Sequence, residues 1–238
     1  MPTQEVKKTM EVTMMSKKKF SQNELVTRAF TATFRAKDES EGDKGIIEGT
    51  PIVFNQETRI SDWEGEYIER IEPTALKNAD MKDVRLFVNH DINKIALARS
   101  KNGNENSTMR FDIDENGVNM VAQLDVENNA EAKSLYSAIK RGDMDGMSFM
   151  FRIAKDEWSD LDSDLPTRTI KEISIVHEVS VVNFPAYQQT SVNARSSEEA
   201  ETSPLAEARK RFAEETASRS KSELEIEKLK NKNLINLF

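Results

Sequence analysis

Cysteine is absent from the 238 residues, and histidine occurs only twice, at His90 and His177. The first absence excludes disulfides, thiol nucleophiles and cysteine-ligated zinc together. The second leaves a histidine metal site only if both histidines join a carboxylate, and no H-E-x-x-H spacing is present. Glycine is scarce too. The eight glycines form neither a G-x-G-x-x-G nor a G-x-x-x-x-G-K-S/T loop, so nucleotide chemistry on a Rossmann or P-loop scaffold lacks its phosphate cradle. No run approaches ~18 uninterrupted apolar residues, which argues against a membrane-spanning helix. The N-terminus has lysines but no apolar stretch of signal-peptide length, which argues against secretion by that route. Basic residues are outnumbered, 34 against 42 acidic, for a net charge of −8. A nucleic-acid footprint would need a basic stripe instead.

What is present fits one domain with tails, or two small domains. Hydrophobic residues make up 37% and charged residues 32%, polar for a globular chain but too apolar for full disorder. Residues 1–24 carry five lysines from Lys7 to Lys19 with little to pack, which reads as a mobile basic arm. Phe30, Ala32 and Phe34 then alternate with Thr31, Thr33 and Arg35, the period of a half-buried strand. Ile46 to Phe54 predicts a second strand, bent or at an edge because it contains Gly49 and Pro51. Pro73 is placed as the first residue of a short helix, T-A-L-K-N-A-D. Val84, Leu86, Val88 and His90 alternate with Arg85, Phe87 and Asn89, a strand that ends at the histidine.

Met109 to Ile113 and Val118 to Leu124 flank Asn116-Gly117, a strong hairpin signal. Ala132, Leu135, Tyr136 and Ile139 fall at helical spacing, with Gly142 where a left-handed cap belongs. A strand from Met147 to Ile153 follows, then an acidic loop over Asp156 to Pro166, then a long β-branched strand from Ile170 to Val182. Many strands and few helices predict a β-dominated α+β domain over residues 25–192, a barrel or a strongly curled sheet. Residues 193–238 read as a charged helical tail. From Arg195 onward this tail has nine acidic and nine basic side chains, and its apolar positions are sparse. Such a tail is either a solvated helix or a docking element for a large partner.

A hydrolase needs a nucleophile, a base and a group that orients the base. With two histidines, candidate bases are few. His90 closes a strand and opens a polar turn, a part-buried, part-wet position suited to a base. The plain alternative is a strand-end histidine that only hydrogen-bonds to its turn. Ser148, in R-G-D-M-D-G-M-S-F-M-F, follows a helix and a glycine turn, where backbone amides could stabilise an oxyanion. It lacks the G-x-S-x-G elbow of α/β-hydrolases. On the last strand, strict alternation puts Glu172, Ser174, Glu178 and Ser180 on one face and Ile173, Ile175, His177, Val179 and Val181 on the other. His177 and Glu178 cannot both face Ser148 without a bulge.

V-R-L-F-V-N-H-D, G-D-M-D-G-M-S-F-M-F-R-I and R-T-I-K-E-I-S-I-V-H-E-V-S-V-V-N-F-P-A-Y, in that order, closely resemble the tailed-bacteriophage prohead (capsid maturation) protease family. Upstream, G-I-I-E-G-T-P-I-V-F-N and Y-I-E-R-I-E-P-T-A-L-K-N-A-D resemble the family's early strand and its E-R-I-x-P segment. The resemblance covers residues 28–192. It implies a fold similar to the herpesvirus assemblins, a closed β-barrel surrounded by helices, and a serine endopeptidase without a cofactor. It implies Ser148 as nucleophile, His90 as general base and Glu178, in the E-V-S-x-V segment, as third member. Assemblins use a second histidine there, which leaves His177 as the alternative. The implied substrates are scaffolding protein or the scaffolding region of the major capsid protein, and finally the protease itself, within the prohead in the bacterial cytoplasm. Self-association stays open, and no nucleic-acid or membrane partner is expected. The competing reading is a non-catalytic scaffold or assembly factor that keeps the protease fold.

Overall fold

The computed structural model describes residues 24–31, 35–36, 45–101, 105–184 and 203–235. The expected basic arm before Glu24 lies outside them. In chain order the elements are β1 (Glu24–Thr31), β2 (Arg35–Ala36), β3 (Ile46–Val53), β4 (Thr58–Asp62), β5 (Gly65–Ile71), β6 (Asp83–Val88), β7 (Ala98–Lys101), β8 (Met109–Ile113) and β9 (Gly117–Gln123). Then come α1 (Ala130–Arg141), β10 (Gly146–Ser159), β11 (Thr167–Val182) and α2 (Pro204–Ile235).

Sequence signals explain several of these directly. Asp114 Oδ1 accepts the amides of Asn116 and Gly117 and turns β8 into β9. Gly117 is required there, since a Cβ would lie 2.1 Å from the Ile52 carbonyl oxygen. Helix α1 begins at Asn129, whose side chain accepts the amides of Glu131 and Ala132, and ends at Gly142 with φ 77°. Its buried face is Ala132, Leu135, Tyr136 and Ile139, the stripe that the spacing predicts. Strand β3 changes register against β9 between Gly49 and Ile52, the bend expected around Pro51.

Strand β11 is the axis of the larger sheet. One edge pairs antiparallel with β10 along nearly its whole length, and β1 continues beyond β10. The other edge pairs parallel first with β5, at Thr167–Ile170, and then with β6, at Glu178–Val181. A four-stranded sheet, ordered β2-β3-β9-β8, forms the second layer. Among the described residues this is a β-dominated α+β architecture of two sheets, not the closed barrel that the resemblance implies. The sheets meet at a seam where the Thr108 amide donates to the Arg99 carbonyl and the Arg99 amide to Thr108 Oγ1. Between them lies one apolar core containing Ile47, Ile52, Leu86, Met120, Phe149, Phe151 and Val179.

Four expectations need correction. Residues 73–78 form successive i to i+3 turns rather than a helix, with amides of Ala75 and Lys77 bonded to carbonyls of Glu72 and Thr74. Seven residues are too few to repay helix nucleation, and Asp80 is already captured by β11 through the Ser174 carbonyl. Strand β10 runs to Ser159, so Asp156 to Ser159 is strand rather than loop. Its partners Thr167–Ile170 extend the hairpin, and Arg168 balances Asp156 in the interior. Strand β6 ends at Val88, two residues before the histidine. Finally, β11 does not alternate strictly. Its pairing with β10 shifts four times between Ile170 and Glu178, and Ile170, Ile173 and Val176 are buried at intervals of three.

Candidate active site

The last of those irregularities, a bulge, sits at His177. Met150 pairs with Glu178 and Phe151 with Val176, so His177 has no partner on β10 and is the extra residue. Ser148 pairs directly with Ser180. Residues paired across a ladder share a face, so Ser148, Met150, Glu178 and Ser180 stand together, with Phe149 and Val179 on the core side. Strand β6 joins this ladder with Arg85 beside Glu178 and Phe87 beside Ser180.

His90 arrives from the end of β6 by a left-handed turn. Asn89 and His90 have φ of 51° and 59°, a region disfavoured for side chains with a Cβ and enriched at functional sites. Had β6 continued regularly, His90 would lie on the face of Val84, Leu86 and Val88. The turn instead carries its ring over to the face of Glu178 and Ser180. The conformation is tied down by the Asn89 amide on the Val181 carbonyl (2.9 Å), the His90 amide on Ser180 Oγ (3.1 Å) and the Asn183 amide on Asn89 Oδ1 (3.0 Å).

The result is a continuous hydrogen-bonded chain. His90 Nε2 lies 2.7 Å from Ser148 Oγ, and His90 Nδ1 lies 2.5 Å from Glu178 Oε1. Ser180 Oγ donates to the other carboxylate oxygen, Glu178 Oε2, at 2.7 Å. Ser148 is 0% exposed and Glu178 2%, while the His90 side chain keeps 22%. A buried carboxylate, a half-open imidazole and a hydroxyl in series can move one proton along a fixed path. Ser148 Oγ also lies 2.9 Å from the Arg28 carbonyl oxygen of β1, so its single proton has two acceptors.

Three of the four sequence-derived candidates therefore meet, and the fourth does not. His177 Nε2 is buried without a hydrogen-bond partner among the described residues. Burial, aided by the charge of Arg152, pushes the imidazole below its ordinary 6.5, so it stays neutral at pH 7. Sequence reasoning missed the role of Ser180, although its spacing of two from Glu178 on a strand already places both on one face.

The β10–β11 hairpin holds a second polar cluster, which the sequence reading also missed. Arg168 donates from Nε to Asp156 Oδ2 (2.7 Å), from Nη1 to Glu69 Oε2 (3.3 Å) and from Nη2 to Glu24 Oε2 (2.5 Å). Arg28 pairs with the same Glu69 through two nitrogens. Burial alone would raise the Glu69 carboxyl, but the two guanidiniums outweigh it and hold the group below its ordinary range. Burial and the Glu69 charge push the Tyr67 phenol up to about 12.

No solved structure matches the chain. The prohead protease of Enterobacteria phage HK97 is 32% identical over 161 residues, which cover 66% of this chain and 63% of that protein. The chain thus spans somewhat less than two thirds of that relative. The family whose pattern matches residues 30–203 is described as caudovirus prohead serine protease, and the stretch contains His90, Ser148 and Glu178. On that match, which runs over most of its length, the chain belongs to the caudovirus prohead serine protease family.

Proposed function

We propose that the chain is a serine endopeptidase of phage capsid maturation, with Ser148 as nucleophile, His90 as general base and Glu178 as the residue orienting the base. The observation that carries this reading is the unbroken Glu178–His90–Ser148 hydrogen-bond chain. His90 Nε2 takes the Ser148 proton as Oγ attacks the scissile carbonyl, and the imidazolium forms with its Nδ1–H on Glu178. The same Nε2–H then protonates the leaving amine, giving an acyl-enzyme at Ser148. Water, deprotonated by His90, hydrolyses that ester and restores the hydroxyl. The carboxylate stays ionised throughout and keeps the imidazole in the tautomer that accepts at Nε2.

Attack also requires that the Ser148 proton sit on His90 rather than on the Arg28 carbonyl. The substrates under this reading are scaffolding protein or the scaffolding region of the major capsid protein, and the protease itself, inside the assembling prohead. The family match and the name of the HK97 relative support that setting. Helix α2 supplies a route to such partners. Its first turn is docked on the body, with Ser203 Oγ on Asp62 and Leu205 and Ala208 buried, whereas its described side chains from Phe212 onward are exposed.

The test is co-expression of the full chain with the major capsid protein of the same phage, read by intact mass. Wild type should shorten the capsid protein at a defined bond and Ser148→Ala should leave it full length. Shortening in the Ser148→Ala sample would overturn the assignment, and an uncut capsid protein with wild type would favour the scaffold reading.

A further inference from the structure

We infer that Ser180 is a positioning residue of this site, acting on the reaction through Glu178 and His90; the inference rests on the protease reading above. Its hydroxyl has one proton to donate and lone pairs to accept. The proton goes to Glu178 Oε2 at 2.7 Å, and the oxygen accepts the His90 amide at 3.1 Å. One buried hydroxyl thus ties the backbone of the base to the carboxylate that orients it. Both carboxylate oxygens are thereby assigned, Oε1 to the imidazole and Oε2 to Ser180. The carboxylate cannot rotate about its terminal bond without leaving a charged oxygen unpaired in an interior where Ser180 is 0% and Glu178 2% exposed.

The other end of the tie is equally specific. The His90 amide belongs to a residue held at positive φ, and the two neighbouring bonds of that turn go to backbone or side-chain groups of other residues. Beside the imidazole's own bond to Glu178, Ser180 alone among the described residues ties the backbone of the turn to the carboxylate. Ser180 also stands directly across the ladder from Ser148, so the nucleophile and this hydroxyl share one rigid pair of strands. Ser174, on the same strand, is the contrast: among the described residues its hydroxyl meets only the Arg152 carbonyl, at 3.4 Å, and no member of the site.

Loss of a hydrogen bond to a charged group predicts a fall in kcat of about 10- to 100-fold for Ser180→Ala. KM should stay within about twofold, because the hydroxyl orients the base rather than holding substrate. The substrate is a peptide spanning the cut site mapped by intact mass, with the full chain as enzyme. Ser180→Thr and Ser180→Val have nearly the same shape and differ in the hydroxyl. Threonine should retain activity well above valine, and Ser174→Ala should match wild type. Independently of turnover, the low-field proton resonance of His90 Nδ1–H, identified by its loss in His90→Ala, should shift upfield or broaden in Ser180→Ala.

Equal kcat for the threonine and valine variants, or an alanine variant with unchanged kcat and unchanged resonance, would overturn the inference. Should wild type fail to cleave, the protease reading falls separately, and the proton resonance still decides whether Ser180 holds the Glu178–His90 pair.

Discussion

The two ends of the β10–β11 hairpin each bury a polar cluster, and they differ in how completely the partners are used up. At one end Arg168 engages Asp156, Glu69 and Glu24 at once, and Arg28 closes on Glu69. Every charge there faces opposite charge, and Arg168 has no exposure to speak of. At the other end a carboxylate, an imidazole and a hydroxyl form a line whose last proton has two acceptors, and the imidazole in the middle is still wet. The same two strands thus carry a closed ionic knot and an open proton path. Saturation is what a structural cluster requires, since an unpaired buried charge is costly. Reactivity requires one bond in the chain that can be exchanged.

The largest effects should come from cutting the open end. Ser148→Ala and His90→Ala should each lower peptide cleavage on the order of 10³-fold or more, with unchanged thermal unfolding. Glu178→Gln should follow, at ~10² to 10⁴-fold, because the amide supports the wrong imidazole tautomer. His177→Gln should stay within about threefold. The paired kinetics of the last two discriminate sharply: a greater loss at His177 would restore the second-histidine arrangement.

Cutting the closed end should invert the readout. Arg168→Leu leaves three carboxylates short of a partner and should cost about 3–5 kcal/mol of stability. Cleavage per folded molecule should hold within about twofold, measured at a temperature where both proteins are folded. Acidification should attack the same end. The Glu69 carboxyl is held below its ordinary 4.5, so its contribution is complete above that value and is lost progressively as pH falls further. Urea midpoints measured downward from pH 6 should be flat to about 4.5 and then decline, and the decline should be shallower in Glu69→Gln.

How much of this was legible in the sequence follows the same division. Ser148, His90 and Glu178 could be named because motif order survives any fold, and the β8–β9 hairpin and α1 could be placed because their turn and cap residues act locally. Glu178 and Ser180 do share a face, but strict alternation reaches that result on a period β11 does not keep, since bulges reset it and one of them falls at His177. A bulge depends on the partner strand and leaves no mark in a period-2 reading. The left-handed turn at Asn89 and His90 is likewise set from outside, by Val181, Ser180 and Asn183. The ionic knot joins Glu24, Arg28, Glu69, Asp156 and Arg168 from four strands, and charges in strands read one at a time look like solvated faces. The β4–β5 hairpin is hidden in the sequence for a similar reason, its acidic residues masking the buried Tyr67 and Ile71.

The smallest expected effect on chemistry comes from the exposed part of α2. Removing residues 213–238 keeps Leu205 and Ala208, the docked part of α2, and should leave peptide cleavage within about twofold. In a Ser148→Ala background the same truncation should reduce protease copies per purified prohead. Equal copy numbers would mark the exposed helix as a solvated appendage.

That Glu178 acts only through His90 on Ser148 is the step on which the mechanism turns. It is tested most directly by a double-mutant cycle on a peptide spanning the cut site, using His90→Ala, Glu178→Gln and the pair, with Ser148→Ala as the background rate. A residue that works only by orienting the imidazole has nothing to orient once the ring is gone. The double variant should therefore cleave as fast as His90→Ala alone. A double variant slower than His90→Ala by the full factor that Glu178→Gln costs in the intact enzyme would contradict the account.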